Sequence, residues 1–172
     1  MKRATIIIGV LFGISFAVAC GGNDSSLPDP IVCPPVAPGA TPSPGQFATQ
    51  RYFQSITNGE AKLESIGRGF IDRWPGRKFA RTSTFRVDLA TTSDAAACLA
   101  QQLMAIAPPG ERFEQYDRAL DDVLVQFAED VALGREAARQ RNVSKFRDWL
   151  KAVDELAGKL DAVEATRPPA HP

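Results

Sequence analysis

The sequence predicts an all-α protein, an up-and-down bundle of three to four helices behind a disordered proline-rich stalk. Three observations predict it. From residue 46 onward, apolar residues recur at intervals of three, four and seven, the repeat of a single helical face. Breaks at Pro75-Gly76, Pro108-Pro109 and Asn142 divide that pattern into lengths suited to individual helices. Residues 21–45 hold seven prolines and four glycines, a composition that neither sustains a helix nor buries a core. A chain of 172 residues is the length of one domain.

The first element is residues 1–19. Lys2 and Arg3 precede an unbroken apolar run from Ala4 to Ala19. A basic start followed by an apolar stretch is the layout of an export signal. The run is shorter than the roughly 20 residues a spanning helix needs. It ends Phe16-Ala17-Val18-Ala19-Cys20. This segment resembles the lipobox of bacterial lipoproteins, with a small residue before the cysteine and Ala17 where the family prefers Leu. The resemblance covers about 20 residues. It implies cleavage before Cys20, a diacylglyceryl group on its thiol, and a membrane as partner through that lipid anchor. Two or more acyl chains make such an anchor stable, at about 0.8 kcal/mol per buried CH₂. The resemblance also implies an extracytoplasmic address. With Gly21 after the cysteine, that is the inner leaflet of an outer membrane or the outer face of a cytoplasmic one. Cleavage at Ala17-Val18-Ala19 by an ordinary signal peptidase is the competing reading.

The second element, residues 20–45, is the lipidated cysteine and its linker, an extended spacer between bilayer and domain. The domain itself is expected over 46–166, with a disordered tail at 167–172.

In the first helix Ser43 is the expected cap, with Pro44 at the first helical position. Phe47, Tyr52, Phe53, Ile56, Leu63, Ile66, Phe70 and Trp74 form its apolar face. Gly59, Gly67 and Gly69 predict a kink or a close helix approach near Gly67. Residues 77–92 alternate at Phe85, Val87 and Leu89, which reads as an extended crossover. Thr92 or Ser93 then caps a second helix with Ala96, Leu99, Leu103 and Ile106 inward. The third carries Phe113, Tyr116, Leu120, Val123, Phe127, Val131, Gly134 and Ala138. The fourth, capped by Asn142, carries Phe146, Trp149, Leu150, Val153, Leu156, Leu160 and Val163. Its outer face offers Lys151, Glu155 and Lys159 at ion-pairing intervals. The run from Leu103 to Val163 loosely resembles small helical lipoproteins of unknown role in high-GC bacteria; the resemblance implies no activity.

Charge and chemistry narrow the function. Without Lys2 and Arg3, 18 basic residues face 20 acidic ones, a net charge of about −2. That argues against a basic nucleic-acid face. The one histidine, His171, lies in the tail, so helical di-metal sites, histidine zinc sites and Ser-His-Asp triads are not expected. Gly67-Arg68-Gly69 is too short for a phosphate loop. No metal, cofactor or enzymatic activity is expected.

Glu111, Glu114, Asp117, Asp121, Asp122, Glu129 and Asp130 cluster on the third helix. They read as a solvated face balanced by Arg112, Arg118 and Arg135, against a weak calcium or cation patch. Cys33 and Cys98 form an even pair in a compartment that permits disulfides. Alternatively, Cys98 is simply a small buried hydrophobe. Two functions remain. One is an accessory protein docking to an envelope partner, which predicts an extended apolar patch. The other is a ligand-binding module with a cavity lined by Tyr116, Trp149 and their neighbours, which predicts several hundred cubic ångströms of space. Trp74 and Trp149 are otherwise core residues.

Overall fold

The computed structural model describes residues 27–34 and 46–169. The Cys20 anchor, the Ser43 cap and His171 lie outside those residues. Four helices account for most of the described chain: α1 over Gln46–Arg73, α2 over Ser83–Met104, α3 over Glu114–Gln140 and α4 over Val143–Glu164. A 3₁₀ turn, Glu111–Phe113, leads into α3. No strand occurs among the described residues.

Each boundary has a local cause. α1 stops ahead of Pro75, and Gly76 takes a φ of 92°, a conformation glycine adopts without a Cβ penalty. α3 ends with Arg141 in the left-handed region. Asn142 then caps α4, its Oδ1 accepting from the amides of Ser144 and Lys145. α2 ends four residues before Pro108.

The extended crossover expected over 77–92 is the main correction. α2 begins at Ser83, where Thr82 Oγ1 accepts from the Phe85 amide at 3.3 Å. Phe85 and Leu89 are fully buried, while Val87 between them is exposed. Phe85 and Leu89 are two strand repeats apart and also one helical turn apart, so the short alternation fitted either period. The helical solution continues through Ala90, Ser93 and Ala96, all buried. A second correction concerns Phe47, expected inward but 76% exposed; Ala48 and Thr49 face the core instead.

The helices run up, down, up and down. Contacts pair the start of one helix with the end of its neighbour. Arg73 and Trp74 meet Asp88, Arg86 meets Ala138, and Tyr116 meets Glu164. α4 then closes against α1, with Arg167 just beyond α4 lying 4.2 Å over the ring of Phe53. Two aromatic clusters fill the core. Near the α1–α2 turn, Phe70 stands 4.8 Å from Trp149, and Phe85 stands 5.4 Å from Phe146, both edge to face. At the opposite end Tyr52, Phe53, Phe113 and Tyr116 pack together, with Phe53 and Phe113 5.5 Å apart.

α2 touches α1 and α3 along its length and buries polar residues: Arg86, Thr92 and Ser93. Ser93 Oγ donates to the Leu89 carbonyl at 2.7 Å, as a hydroxyl inside a helix commonly does. The Arg86 Nε donates to the Ala138 carbonyl at 2.6 Å.

Part of the proline-rich linker is docked on the bundle. Leu27 packs against the core. The Pro28 carbonyl accepts from Arg135 at 2.5 Å. The Ile31 amide donates to Asp94 Oδ2 at 3.1 Å. The sulfurs of Cys33 and Cys98 are joined, their Cα atoms 5.3 Å apart. Residues 27–34 therefore form a strap across α2 and α3.

Candidate functional site

The α1–α4 seam is the loosest in the bundle. The two helices approach closely at Gly67, where a Cβ would stand 2.7 Å from Val153 Cγ1. This is the close approach expected near Gly67. Around that point the facing positions include Ala61 and Ala157, too small to fill the gap between two helices. The result is a cleft of about 470 Å³.

Its wall is apolar. Leu63, Ile66, Phe127, Trp149, Leu156 and Leu160 line it, with Thr92 and Ala96 contributed by α2. Its rim is charged, with Glu60, Glu64 and Arg68 from α1, Arg77 after α1, and Asp154 and Asp161 from α4. Arg68 is paired with Glu64 one turn away. Arg77 reaches Asp154 at 2.5 Å and bridges α1's end to α4. Both rim cations are thus committed to rim carboxylates. The carboxylates of Glu60 and Asp161 make no hydrogen bond or ion pair among the described residues.

Glu60 is the most perturbed acid of the cleft. Its pKa is pushed up to about 7, first by burial and then by the nearby Glu164 carboxylate; Asp161 adds to the shift and Arg167 opposes it. At the adjoining end of the bundle, Tyr116 donates to Glu164 at 3.1 Å, and Arg167 Nε lies 2.7 Å from the same carboxylate. Burial pushes the Tyr116 phenol up to about 12. Tyr52 donates to Asp117 at 2.6 Å. Burial raises Tyr52 as well, and the hydrogen bond and charge of Asp117 add to it. Asp121, one turn on, is pushed up to about 6 by burial and by the charges of Asp117 and Asp122.

The residues singled out from sequence are distributed as follows. Trp149 lines the cleft and is fully buried. Tyr116 does not line it: its ring is in the core and its hydroxyl is spent on Glu164. Trp74 is also elsewhere, donating to Asp88 at 2.6 Å. Of the acidic run on α3, Glu111, Glu114, Asp122 and Glu129 are exposed. Asp117 instead engages Tyr52 of α1. Arg135, expected to balance that face, pairs with Asp94 of α2 at 2.5 Å. Lys151 and Lys159 both stand 3.7 Å from Glu155, as their intervals predict. Sequence reasoning missed Glu60, Asp161 and the α1 side of the cleft. No pattern on either helix marks the seam as open, because each separately carries an ordinary apolar face.

Among the described residues, no group of three or more His, Cys, Asp or Glu side chains stands ready to hold a metal ion. No described helix is long and apolar enough to cross a membrane. No family model, curated protein or solved structure matches this chain.

Proposed function

We propose that this protein is a lipid-anchored, extracytoplasmic binding module that holds a small amphipathic molecule in the cleft between α1 and α4. The observation that carries the reading is the cleft itself. Its volume of about 470 Å³ falls within the range of small-molecule sites, about 300–1,000 Å³. An apolar wall with a few polar groups at the mouth is the usual composition of such sites. A core that simply packed well would not leave this volume between two helices.

The anchor rests on Phe16-Ala17-Val18-Ala19-Cys20 and its likeness to a lipobox. The Cys33–Cys98 bond supports the compartment, since structural disulfides persist outside the reducing cytosol. Intact-mass analysis of protein from its native membrane is expected to find a fatty adduct on Cys20. An unmodified residue 20 removes the anchor from the proposal.

Docking to an envelope partner draws less support. The exposed large apolar residues Ile31, Val32, Phe47, Val87, Val125 and Val143 come from five separate segments, and no helix supplies more than one. Scattered apolar residues are ordinary surface.

The binding role is tested by thermal unfolding of the chain from Gly21 onward, which retains every described element, against a panel of amphipathic small molecules. A ligand at a hundred times its Kd adds about 2.7 kcal/mol, or roughly 10 °C in Tm for a domain of this size. Ala157→Trp, which fills the cleft from its mouth, is expected to abolish the shift. A panel that moves neither protein sinks the proposal.

A further inference from the structure

Building on the binding role proposed above, we infer that the cleft selects a small organic cation, with an ammonium or guanidinium head held by Glu60 and Asp161 and an apolar body against the partly exposed Ile66 and Val153. The argument starts from the unequal state of the rim charges. Four carboxylates and two guanidinium groups face the opening. Both guanidinium groups are occupied, Arg68 by Glu64 and Arg77 by Asp154. What is left over is negative: Glu60 on α1 and Asp161 on α4, on opposite sides of the seam and near enough for their charges to repel.

Glu60 is the telling member of the pair. A half-buried carboxylate normally has a cation or a set of donors to replace lost water. Glu60 has neither, although its helix neighbour Glu64 has Arg68. Arg167 lies close enough to be felt but is itself engaged by Glu164 and stacked on Phe53. The raised pKa of Glu60 is the same deficit seen electrostatically. A ligand cation between Glu60 and Asp161 supplies the missing countercharge.

The alternatives fit worse. An anion would meet the two free carboxylates with no free guanidinium to offset them. A metal ion needs three or more converging ligands, and none are assembled among the described residues. A purely apolar guest would fill the wall but leave Glu60 buried deeper and still unpaired.

The test uses three probes that share one skeleton: 4-phenylbutylammonium, 4-phenylbutanol and 4-phenylbutanoate, titrated calorimetrically into the chain from Gly21 onward at pH 8. The ammonium is expected to bind about tenfold more tightly than the alcohol, in line with a hydrogen bond to a charged group. The carboxylate is expected to bind weakest. Glu60→Gln should bring the ammonium to within twofold of the alcohol while leaving alcohol binding unchanged, and Asp161→Asn should remove part of the preference. Glu155→Gln, an acid on α4 outside the cleft, should change nothing. If all three probes bind alike, or if Glu60→Gln retains the preference, the charge selectivity is overturned and the binding role stands. If none of the three binds, the binding role falls and the selectivity with it.

Discussion

Gly134 on α3 lies directly against the indole of Trp149 on α4. A Cβ added to Gly134 would stand 2.5 Å from Trp149 Cδ1 and 2.8 Å from Nε1, and would collide with Ser93 Oγ from α2. Three helices therefore meet at one missing side chain. Trp149 is fully buried and cannot retreat without disturbing Phe70 and Phe146 around it. Gly134→Ala is expected to cost about 1–3 kcal/mol as an overpacked core. Gly158→Ala on α4, where nothing lies within 4 Å, should do the opposite and add up to about 1 kcal/mol of helix propensity. Urea denaturation of the two variants measures both. Equal stability of Gly134→Ala and the parent chain contradicts the close α3–α4 approach.

That junction shows which parts of the fold can be read in advance. Gly134 and Trp149 sit on apolar stripes with a clear helical repeat, so their burial follows from the pattern. Phe85 and Leu89 do not separate helix from strand, because a spacing of four satisfies both periods. The deciding feature was the Thr82 cap, which a sequence run of Arg81-Thr82-Ser83-Thr84 does not single out. The strap at 27–34 was signalled by the Cys33–Cys98 pair, not by its prolines, which forbid a helix but say nothing about docking. The cleft is the least legible feature of all. It is an absence of volume between α1 and α4, and both helices look complete when read alone.

The raised pKa of Glu60 makes stability depend on pH in a definite direction. Between about pH 4.5 and 7, the folded chain keeps a proton that the unfolded chain has released. Stability is therefore greatest below that window, falls as pH rises through it, and levels off above. Asp121, raised to about 6, acts in the same sense. Glu60→Gln removes the Glu60 part and should stabilise the ligand-free protein at pH 8 by about 1 kcal/mol, after allowance for solvent screening of a half-exposed group. At pH 4.5 the gain should vanish. Guanidinium denaturation at the two pH values reads the difference, and a variant less stable than the parent at pH 8 would overturn it.

Arg86 predicts a different kind of cost. It is only 4% exposed, and its Nε donates to the Ala138 carbonyl in the last turn of α3. That carbonyl is among the four at a helix C-terminus that lack an intrahelical partner, and it lies at the negative end of the helix dipole. Arg86→Met preserves most of the apolar stem but orphans the carbonyl. The expected loss is about 1–2 kcal/mol, with faster amide exchange at the end of α3. A Met variant that gains stability would mean that desolvating the guanidinium outweighs its bond.

The strap would set how far a lipid-anchored domain could stray from a bilayer. If Cys20 carries the lipid, only the seven residues to Leu27 separate the anchor from docked chain, a reach of at most about 25 Å. Freeing the strap moves the first fixed point to Gln46 and lengthens the reach to at most about 90 Å. Cys33→Ser with Cys98→Ser removes the covalent link and leaves only the bonds of Ile31 to Asp94 and Pro28 to Arg135. Closing a loop of 65 residues is worth about 4 kcal/mol in chain entropy, so the double variant should unfold at markedly lower denaturant. The Ile31 amide, which donates to Asp94 in the parent, should exchange faster once the covalent link no longer holds it there. In proteoliposomes, energy transfer from a fluorescent amino acid at Ala132, exposed on α3, to an acceptor lipid should weaken as the domain moves out. Unchanged transfer alongside a deprotected Ile31 would show that the strap does not set the standoff.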